Sequence, residues 1–210
     1  SLSNQMHQGI YWHRAGPLND VGIRFNPGNN NLQFNIHHYN YLEYPVNINE
    51  WYFVAGTYDG SIMKLYVNGV IVDSLFLSTQ VNWDANFEGE AIAGDFYGQA
   101  EGFDGFIDDV HIWNTTLTQQ EIQNYMNCPP TGNESGLVGY WNFEEGSGST
   151  AFDLTSNGND GTINGATYNT NTPAQSCNLT SINGCDSVAV LNLTINQADT
   201  SYTNITACDS

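Results

Sequence analysis

The chain has 210 residues, and its 22 Asp and Glu against three Lys and Arg give a formal net charge of −19. This shortage of cations excludes binding to a nucleic-acid backbone, which depends on clustered Lys and Arg that release counterions. It also argues against docking on an anionic membrane surface, and no apolar run reaches the roughly eighteen residues of a membrane span. Aromatic residues make up 13% of the chain, too many for a disordered acidic tail. The composition therefore predicts a compact, loop-rich protein with no nucleic-acid partner and no membrane insertion.

The cysteines and the N-terminal residues bear on cellular compartment. The first residues lack the basic start and apolar stretch of an export signal, and we expect the sequence to be a piece of a longer, exported chain. Its four cysteines lack the C-x-x-C pairs and nearby histidines of a zinc site, so disulfides in an oxidising compartment are favoured. Four cysteines allow three connectivities. We favour Cys128–Cys177, which would bracket one structural unit and leave Cys185 and Cys208 to a separate repeat.

Residues 9–98 show the pattern of successive β-strands separated by turns. From Leu32 to His37 apolar and polar residues alternate, which is typical of a strand with one buried face. Asn68-Gly69 lies between two β-rich runs and predicts a hairpin, because both residues of that turn type need a positive φ.

The second half of the chain begins with a strand predicted over Phe106–Trp113. A short helix then starts with Thr118 as N-cap and Glu121 completing a capping box. A Pro- and Gly-containing loop over 129–136 precedes a further strand over Leu137–Phe143. Residues 178–210 differ in composition, and a Cys-Asp-Ser triplet at 185–187 recurs at 208–210, which indicates a short tandem repeat.

Two of these segments resemble a known family. Residues 51–60 with 63–69 resemble the central hairpin of LamG-like jelly rolls of the concanavalin A-like lectin superfamily, and residues 106–114 with 117–122 look like its closing strand and short helix. The resemblance implies an all-β fold, an antiparallel β-sandwich of jelly-roll type with one short helix and a C-terminal β annex. The opening strands are not recognisable, so we expect residues 1–127 to form an N-terminally truncated sandwich.

Residues 137–148, with Asp153 and residues 157–161, are similar to the opening segment of such a domain. Either this segment packs back on the preceding sandwich or it starts a second one. We favour the first, with residues 128–177 as a disulfide-bracketed annex. Residues 178–210 resemble part of the Cys-containing repeats of large bacterial surface proteins, which are exported adhesins or polysaccharide-handling proteins.

One acid on the predicted strand over 106–113 is a candidate metal ligand. Strand alternation places Asp108 on the face shared by Phe106 and Val110, where a carboxylate would be costly unless paired or metal-bound. Ca²⁺ takes six to eight oxygen ligands, and many domains of the resembled family bind it. A calcium ion held by Asp108, Asp104, Asn157 and Asp160 is therefore expected. Capping of backbone N–H groups by Asp108, direct ligand contact, and an ordinary turn over 157–161 remain open.

Aromatic side chains that stack on sugar rings are the candidate ligand contacts, with amides and carboxylates for the hydroxyl groups. The candidates we select are Trp83, Trp12, Tyr97 and Tyr39. Trp51, Trp113 and Trp141 lie in patterned strands and are expected in the core.

An enzymatic function is disfavoured by the pattern of acids. Retaining glycosidases use two carboxyl groups about 5 Å apart, and the alternating Glu pair is Glu88 and Glu90, which is more simply explained as a solvated turn. No nucleophile motif or phosphate-binding loop occurs. We therefore expect a non-catalytic, calcium-stabilised glycan-binding or adhesion module of a large secreted or cell-surface protein. Its partners would be a polysaccharide or glycoconjugate and the neighbouring domains of the same chain. A structural spacer or protein–protein adhesion domain is the alternative, and a glycanase fragment is the least favoured.

Overall fold

The computed structural model describes residues 7–14, 20–37, 39–79, 81, 89–94, 102–174, 177, 179–180 and 186–187. These residues form antiparallel strands and one short helix, which confirms the predicted fold class. The elements of residues 1–177 are β1 (Gln8–Arg14), β2 (Val21–Asn26), β3 (Asn31–Ile36), β4 (Asn40–Pro45), β5 (Val54–Tyr58), β6 (Ile62–Val67), β7 (Val70–Phe76), β8 (Gly89–Ile92), β9 (Val110–Trp113), α1 (Gln119–Asn127), β10 (Leu137–Trp141), β11 (Thr150–Ala151) and β12 (Gly161–Thr162).

The largest sheet has five antiparallel strands in the order β4-β3-β2-β1-β8. Its central strand pair, β2 and β3, is in continuous register from Val21↔Ile36 to Asn26↔Asn31. Because side chains alternate between the two faces of a strand, Phe34 and Ile36 face the core, whereas the polar residues between them face the other way.

The second sheet has three strands in the order β5-β6-β7. The predicted hairpin at Asn68-Gly69 is confirmed: both residues have positive φ, +50° and +73°, and Val67 pairs with Val70 across the turn. Asn68 also accepts a hydrogen bond from the backbone N–H of Phe53 at 3.0 Å. The turn is therefore fixed both by its own backbone and by the neighbouring strand.

The core lies between these two sheets. Its buried residues come from β2, β3 and β4 on one side and from β6 on the other: Val21, Phe34, Ile36, Leu42, Met63, Leu65 and Val67. At Gly56 the sheets approach closely, since a Cβ there would lie 2.5 Å from the Phe34 ring. Each such buried aliphatic or aromatic side chain contributes about 1.5–3 kcal/mol relative to its exposed state.

Helix α1 begins as the sequence predicts. Thr118 accepts from the backbone N–H of Glu121, and the Glu121 carboxylate accepts from the backbone N–H of Thr118, so the capping box is complete. Ile122 is the buried residue of the helix, 1% exposed. The helix ends at Asn127, next to Cys128 as C-cap.

Residues 128–177 pack into the same compact unit as the two large sheets. Strand β10 pairs antiparallel with β9, from Leu137↔Trp113 to Trp141↔Val110. Cys128 and Cys177 form a disulfide with a Cα–Cα distance of 4.5 Å. The annex therefore shares a sheet with the closing strand and is tied at both ends.

Two local predictions were wrong. The strand predicted over Phe106–Trp113 starts only at Val110, because Asp109 has a φ of +50°, which breaks the alternation that placed Asp108 and Phe106 on a core face. Phe106 is 51% exposed, and Trp51, expected in the core, is 37% exposed. These two rings contact each other, with centroids 6.2 Å apart.

Residues 178–210 form a separate unit. Within it the structure describes strands β13 (Leu179–Thr180) and β14 (Asp186–Ser187), which pair antiparallel with each other. Cys185 and Cys208 lie outside the described residues.

Candidate functional site

The face of the five-stranded sheet that points away from the core carries a group of polar and aromatic side chains. Strand register places them in two rows across the sheet. Trp12, Gly22, Asn35 and Tyr41 are successive partners in one row, and Arg24, Gln33 and Glu43 form the next. We call Trp12, Arg24, Gln33, Asn35, Tyr41 and Glu43 the polar face.

The second row is joined by side-chain hydrogen bonds. Arg24 Nε donates to Gln33 Oε1 at 2.9 Å, and Gln33 Nε2 donates to Glu43 Oε2 at 3.1 Å. Gln33 is only 4% exposed, so its amide is held in one orientation between a cation and an anion. Burial lowers the pKa of Arg24, and the nearby Tyr41 hydroxyl opposes that shift.

Trp12 lies across the sheet at the position that Gly22 leaves open. A Cβ on Gly22 would be 2.3 Å from Cε3 of the Trp12 ring, so the ring rests directly on the backbone of β2. The guanidinium carbon of Arg24 is 6.0 Å from the centroid of this ring, a distance at which a cation is attracted to an aromatic face. Trp12 is therefore fixed beside the hydrogen-bonded row.

Asn35 is the most deeply buried residue of the polar face. It is 0% exposed, yet among the described residues neither its Oδ1 nor its Nδ2 has a hydrogen-bond partner. The indole Nε1 of Trp12, in the same row, is likewise without a partner there. Each buried polar group left unsatisfied costs about 1–3 kcal/mol, so this row holds hydrogen-bonding capacity that the described residues do not use.

The polar face opens towards β4. Tyr41 is 47% exposed, and Glu43 beside it is also exposed. Arg14 lies on β1 two residues beyond Trp12, on the same face, and is 6% exposed. A ligand would therefore approach from the β4 side, where the aromatic and acidic groups are accessible.

The predicted ligand contacts are only partly brought together. Trp12 belongs to the polar face, whereas Tyr39 lies in the turn before β4 and is 81% exposed. Trp83 and Tyr97 lie outside the described residues. Trp141 is buried at 7% exposure, as expected of a core residue.

The predicted calcium ligands do not form a common site in the part of the chain that the structure describes. No group of three or more His, Cys, Asp or Glu side chains is arranged there to hold a metal ion, so Asp104, Asp108 and Asp160 do not meet. The side chain of Asn157 donates to the carbonyl of Val138 at 2.8 Å. Asp160 Oδ1 accepts from the backbone N–H of Asp153 at 2.9 Å. Asn157 and Asp160 therefore stabilise a turn of the annex, and calcium binding stays a prediction.

Asp108 instead lies among other acids. Burial, together with the charges of Asp109 and Glu144, raises the pKa of Asp108 to about 6. Tyr140 donates to Asp109 Oδ1 at 2.7 Å, and burial followed by this bond raises the pKa of Tyr140. Protonation of Asp108 as the pH falls towards 6 reduces the repulsion in this cluster.

The acids considered for catalysis are separated by the fold. Glu90 Oε1 lies 2.8 Å from His13 Nδ1, and His13 is a partner of Val21, which faces the core. Burial, and then the charge of Glu90, raises the pKa of Tyr11. Glu90 therefore lies on the opposite side of the sheet from the polar face, and Glu88 lies outside the described residues.

A second buried histidine belongs to an aromatic cluster between β9, β10 and α1. His111 Nδ1 accepts from Trp113 Nε1 at 2.8 Å, and the Trp113 and Tyr125 rings are 4.9 Å apart. Burial lowers the pKa of His111 to about 4. The imidazole is therefore neutral at pH 7 and serves as an acceptor within the packing of the closing strand.

Comparison with known proteins identifies the fold family. The family model Laminin_G_3, described as the concanavalin A-like lectin/glucanases superfamily, matches residues 2–123, more than half of the chain. The chain belongs to this superfamily. No curated protein sequence matches the chain. The resemblance of residues 178–210 to Cys-containing repeats stays a prediction.

One solved structure shares this fold. A Bacteroides ovatus protein, provisionally named a carbohydrate binding protein, is similar at a TM-score of 0.58 and 19% identity, over 77% of this chain and 51% of that one. The chain thus spans about half the length of this relative. An S-layer domain-containing protein of Clostridium thermocellum is similar at a TM-score of 0.29 and 20% identity, over 59% of this chain and 64% of that one. Among the described residues, no helix is both long and apolar enough to cross a membrane.

Most of the polar face of this lectin-like sheet was not singled out from the sequence. Trp12 was selected, whereas Arg24, Gln33, Asn35 and Glu43 were not. One feature of the sequence could have indicated this face. Two of the few cations, Arg14 and Arg24, lie in predicted strands, and polar residues occupy alternating positions of those strands. That signal has meaning only once the register of four strands is known.

Proposed function

We propose that this chain is a non-catalytic carbohydrate-binding module and that the polar face of its five-stranded sheet is the binding surface. The observation that carries the proposal is the row of Trp12, Asn35 and Tyr41, in which two buried hydrogen-bonding groups have no partner among the described residues beside an exposed aromatic ring. The name of the Bacteroides ovatus relative and the membership of the superfamily support it.

The chemistry of the face suits a sugar ring. Saccharides present apolar C–H surfaces flanked by hydroxyl groups, which are recognised by aromatic side chains together with a few fixed polar groups. Tyr41 offers an exposed ring at the open side. The Arg24–Gln33–Glu43 row offers donors and acceptors that are already oriented by their mutual bonds, so little side-chain entropy is lost when a ligand binds.

We propose that the module binds its saccharide and does not hydrolyse it. A retaining glycosidase needs two carboxyl groups about 5 Å apart beside the sugar. On the polar face Glu43 is already the acceptor of Gln33, and Glu90 is paired with His13 on the other side of the sheet. In the larger protein, we propose that the module acts in adhesion or polysaccharide capture at the cell surface or after secretion.

The decisive experiment is a glycan array, followed by calorimetric titration of each saccharide that binds, with wild type, Tyr41→Ala and the control Phe76→Ala. Phe76 is 72% exposed on β7, in the other sheet, so both variants remove an exposed ring. Loss of one stacking aromatic is expected to weaken binding about tenfold or more in Tyr41→Ala, with Phe76→Ala unchanged. Binding that survives Tyr41→Ala would place the site elsewhere, and no binding to any glycan would favour a structural spacer.

Two further measurements address the remaining expectations. Release of reducing sugar from plant or marine polysaccharides would favour a glycanase over a binding module. A melting curve with millimolar Ca²⁺ tests calcium, because a ligand that binds only the native form must raise the midpoint. An unchanged midpoint would exclude calcium stabilisation.

A further inference from the structure

The distribution of positive charge is the most unusual feature of the polar face. The whole chain has three Lys and Arg against 22 Asp and Glu, and all three cations lie within the described residues. Arg14 and Arg24 are on the outward face of the five-stranded sheet, on β1 and β2. Lys64 lies on β6, in the other sheet. Two of three cations are thus concentrated on one face of a strongly acidic protein.

Arg24 is held there by neutral groups. Its Nε donates to the amide oxygen of Gln33, and its guanidinium lies over the ring of Trp12. Within the described part of the chain, no carboxylate oxygen lies within salt-bridge distance of Arg24. A half-buried cation without a counter-charge is costly, and in a chain with 22 acids a carboxylate partner would be easy to supply.

We infer that the polar face selects saccharides that carry an oxyanion, either a uronate carboxylate or a sulfate ester, and that Arg24 is the group that pairs with it. This inference rests on the proposed function, because it names the ligand class of the same surface. The planar guanidinium matches the two oxygens of a carboxylate or sulfate. Gln33 occupies Nε, and the two Nη groups carry the remaining donors.

The acids near the face determine where the oxyanion sits. Glu43 lies two strands away from Arg24, with the backbones about 10 Å apart at the usual strand spacing, and the Gln33 amide lies between the two side chains and bonds to both. The net charge of the chain repels a polyanion at long range, but charges beyond about 8 Å are largely screened at physiological salt. The polar face therefore suits a short acidic saccharide whose negative charge lies at the β2 side of the face, away from Glu43.

The first test uses the wild-type protein and three tetrasaccharides at physiological salt: one of galacturonic acid, its carboxyl-reduced neutral counterpart, and a sulfated galactose tetrasaccharide. Calorimetric titration is expected to show about tenfold tighter binding of at least one acidic ligand than of the neutral one. Tighter binding of the galacturonic acid tetrasaccharide would identify a carboxylate as the recognised group, and tighter binding of the sulfated one would identify a sulfate. Equal affinity for acidic and neutral ligands would overturn the inference and leave the proposed function intact.

The second test compares Arg24→Gln with Lys64→Gln, which remove one positive charge each. We expect Arg24→Gln to weaken binding of the acidic ligand about tenfold more than binding of the neutral ligand, so that the preference for the acidic ligand is lost. Lys64→Gln should change neither affinity by more than about twofold. Equal weakening by both variants would mean a general charge effect and would refute the role of Arg24. If wild type binds none of the three tetrasaccharides and no saccharide on a glycan array, the proposed function itself fails. The wild-type comparison still decides the inference if Arg24→Gln does not fold.

Discussion

The carboxylate of Asp153 is predicted to be the main polar support of the annex. Asp153 is 8% exposed, and its Oδ1 accepts from the backbone N–H groups of Tyr140 at 3.0 Å and Thr155 at 2.9 Å. Its Oδ2 accepts from the Thr155 hydroxyl at 2.8 Å and the backbone N–H of Asn159 at 2.9 Å. The side chain thus joins β10 to the turn that follows β11. The perturbation we choose is Asp153→Asn.

The expected cost follows from the number of donors. The amide keeps one acceptor oxygen but places an NH₂ group against the two donors that face the other oxygen. Hydrogen bonds to charged groups contribute about 1.5–3 kcal/mol each, so the loss of two predicts a destabilisation of about 3–6 kcal/mol. For a domain of this size, about 2–4 °C per kcal/mol gives a fall in Tm of about 6–24 °C.

The assay is differential scanning calorimetry at pH 7, with Asp160→Asn as the matched control. The control removes the same charge from an exposed residue whose Oδ1 accepts one bond, from the backbone N–H of Asp153, and an amide oxygen can still accept that bond. We expect it to cost less than about 1 kcal/mol. Melting temperatures of the two variants within about 2 °C of each other would refute this account of Asp153.

The pH dependence gives a second readout of the same carboxylate. Burial alone would raise the pKa of Asp153, but the hydrogen bonds from Thr155, Tyr140 and Asn159 outweigh it, so the pKa of this carboxyl lies below its ordinary value. The stabilisation is therefore present above the pKa of the unfolded chain and is lost as pH falls through the folded pKa. The difference between wild type and Asp153→Asn should shrink below about pH 4.

Three further predictions concern stability. Replacing Cys128 and Cys177 by Ser opens a loop with a sequence separation of 49 and should lower the free energy of unfolding by about 4 kcal/mol, because the unfolded chain gains entropy. Denaturant unfolding measures this loss, and an unchanged midpoint would contradict the prediction. Because the pKa of Asp108 is raised to about 6, Asp108→Asn in EDTA should stabilise the protein by about 1 kcal/mol at pH 7.5, after allowance for solvent screening. This gain should vanish by pH 4, and destabilisation at pH 7.5 would refute it. The pKa of His111 falls from 6.5 to about 4 on burial, so wild-type stability should decrease as pH falls through that window. His111→Gln should lack that decrease, and identical pH profiles would contradict the assignment.

Local signals were sufficient for the turns and the helix start. The Asn68-Gly69 hairpin and the Thr118–Glu121 capping box depend on residues within a few positions of each other. Their geometry follows from backbone preferences and short-range hydrogen bonds. For the same reason the alternation in β3 predicted its two faces, since it is a property of one strand.

The composition of the polar face required information that a single strand does not contain. Trp12, Gly22 and Asn35 are neighbours only because β1, β2 and β3 pair in one register. A shift of one residue in that register would move every polar side chain to the core. The partner of His13 is 77 positions away, which also lies beyond any local pattern.

The predicted position of Asp108 within a strand was wrong for a different reason. It assumed that alternation continued through residues 106–109, whereas Asp109 has a positive φ and β9 begins only at Val110. Non-Gly residues adopt this conformation only rarely. Strand periodicity therefore says nothing about the orientation of side chains just outside the hydrogen-bonded segment.

The disulfide between Cys128 and Cys177 also determines how the chain would respond to mechanical pulling. Tension applied on either side of the annex passes through the sulfur bridge, whose Cα atoms are 4.5 Å apart, and not through the backbone between them. The bypassed segment would otherwise extend by about 160–175 Å. Under oxidising conditions the annex is thus shielded from load. Reduction of one covalent bond would release that length and leave the β9–β10 pairing to bear the force.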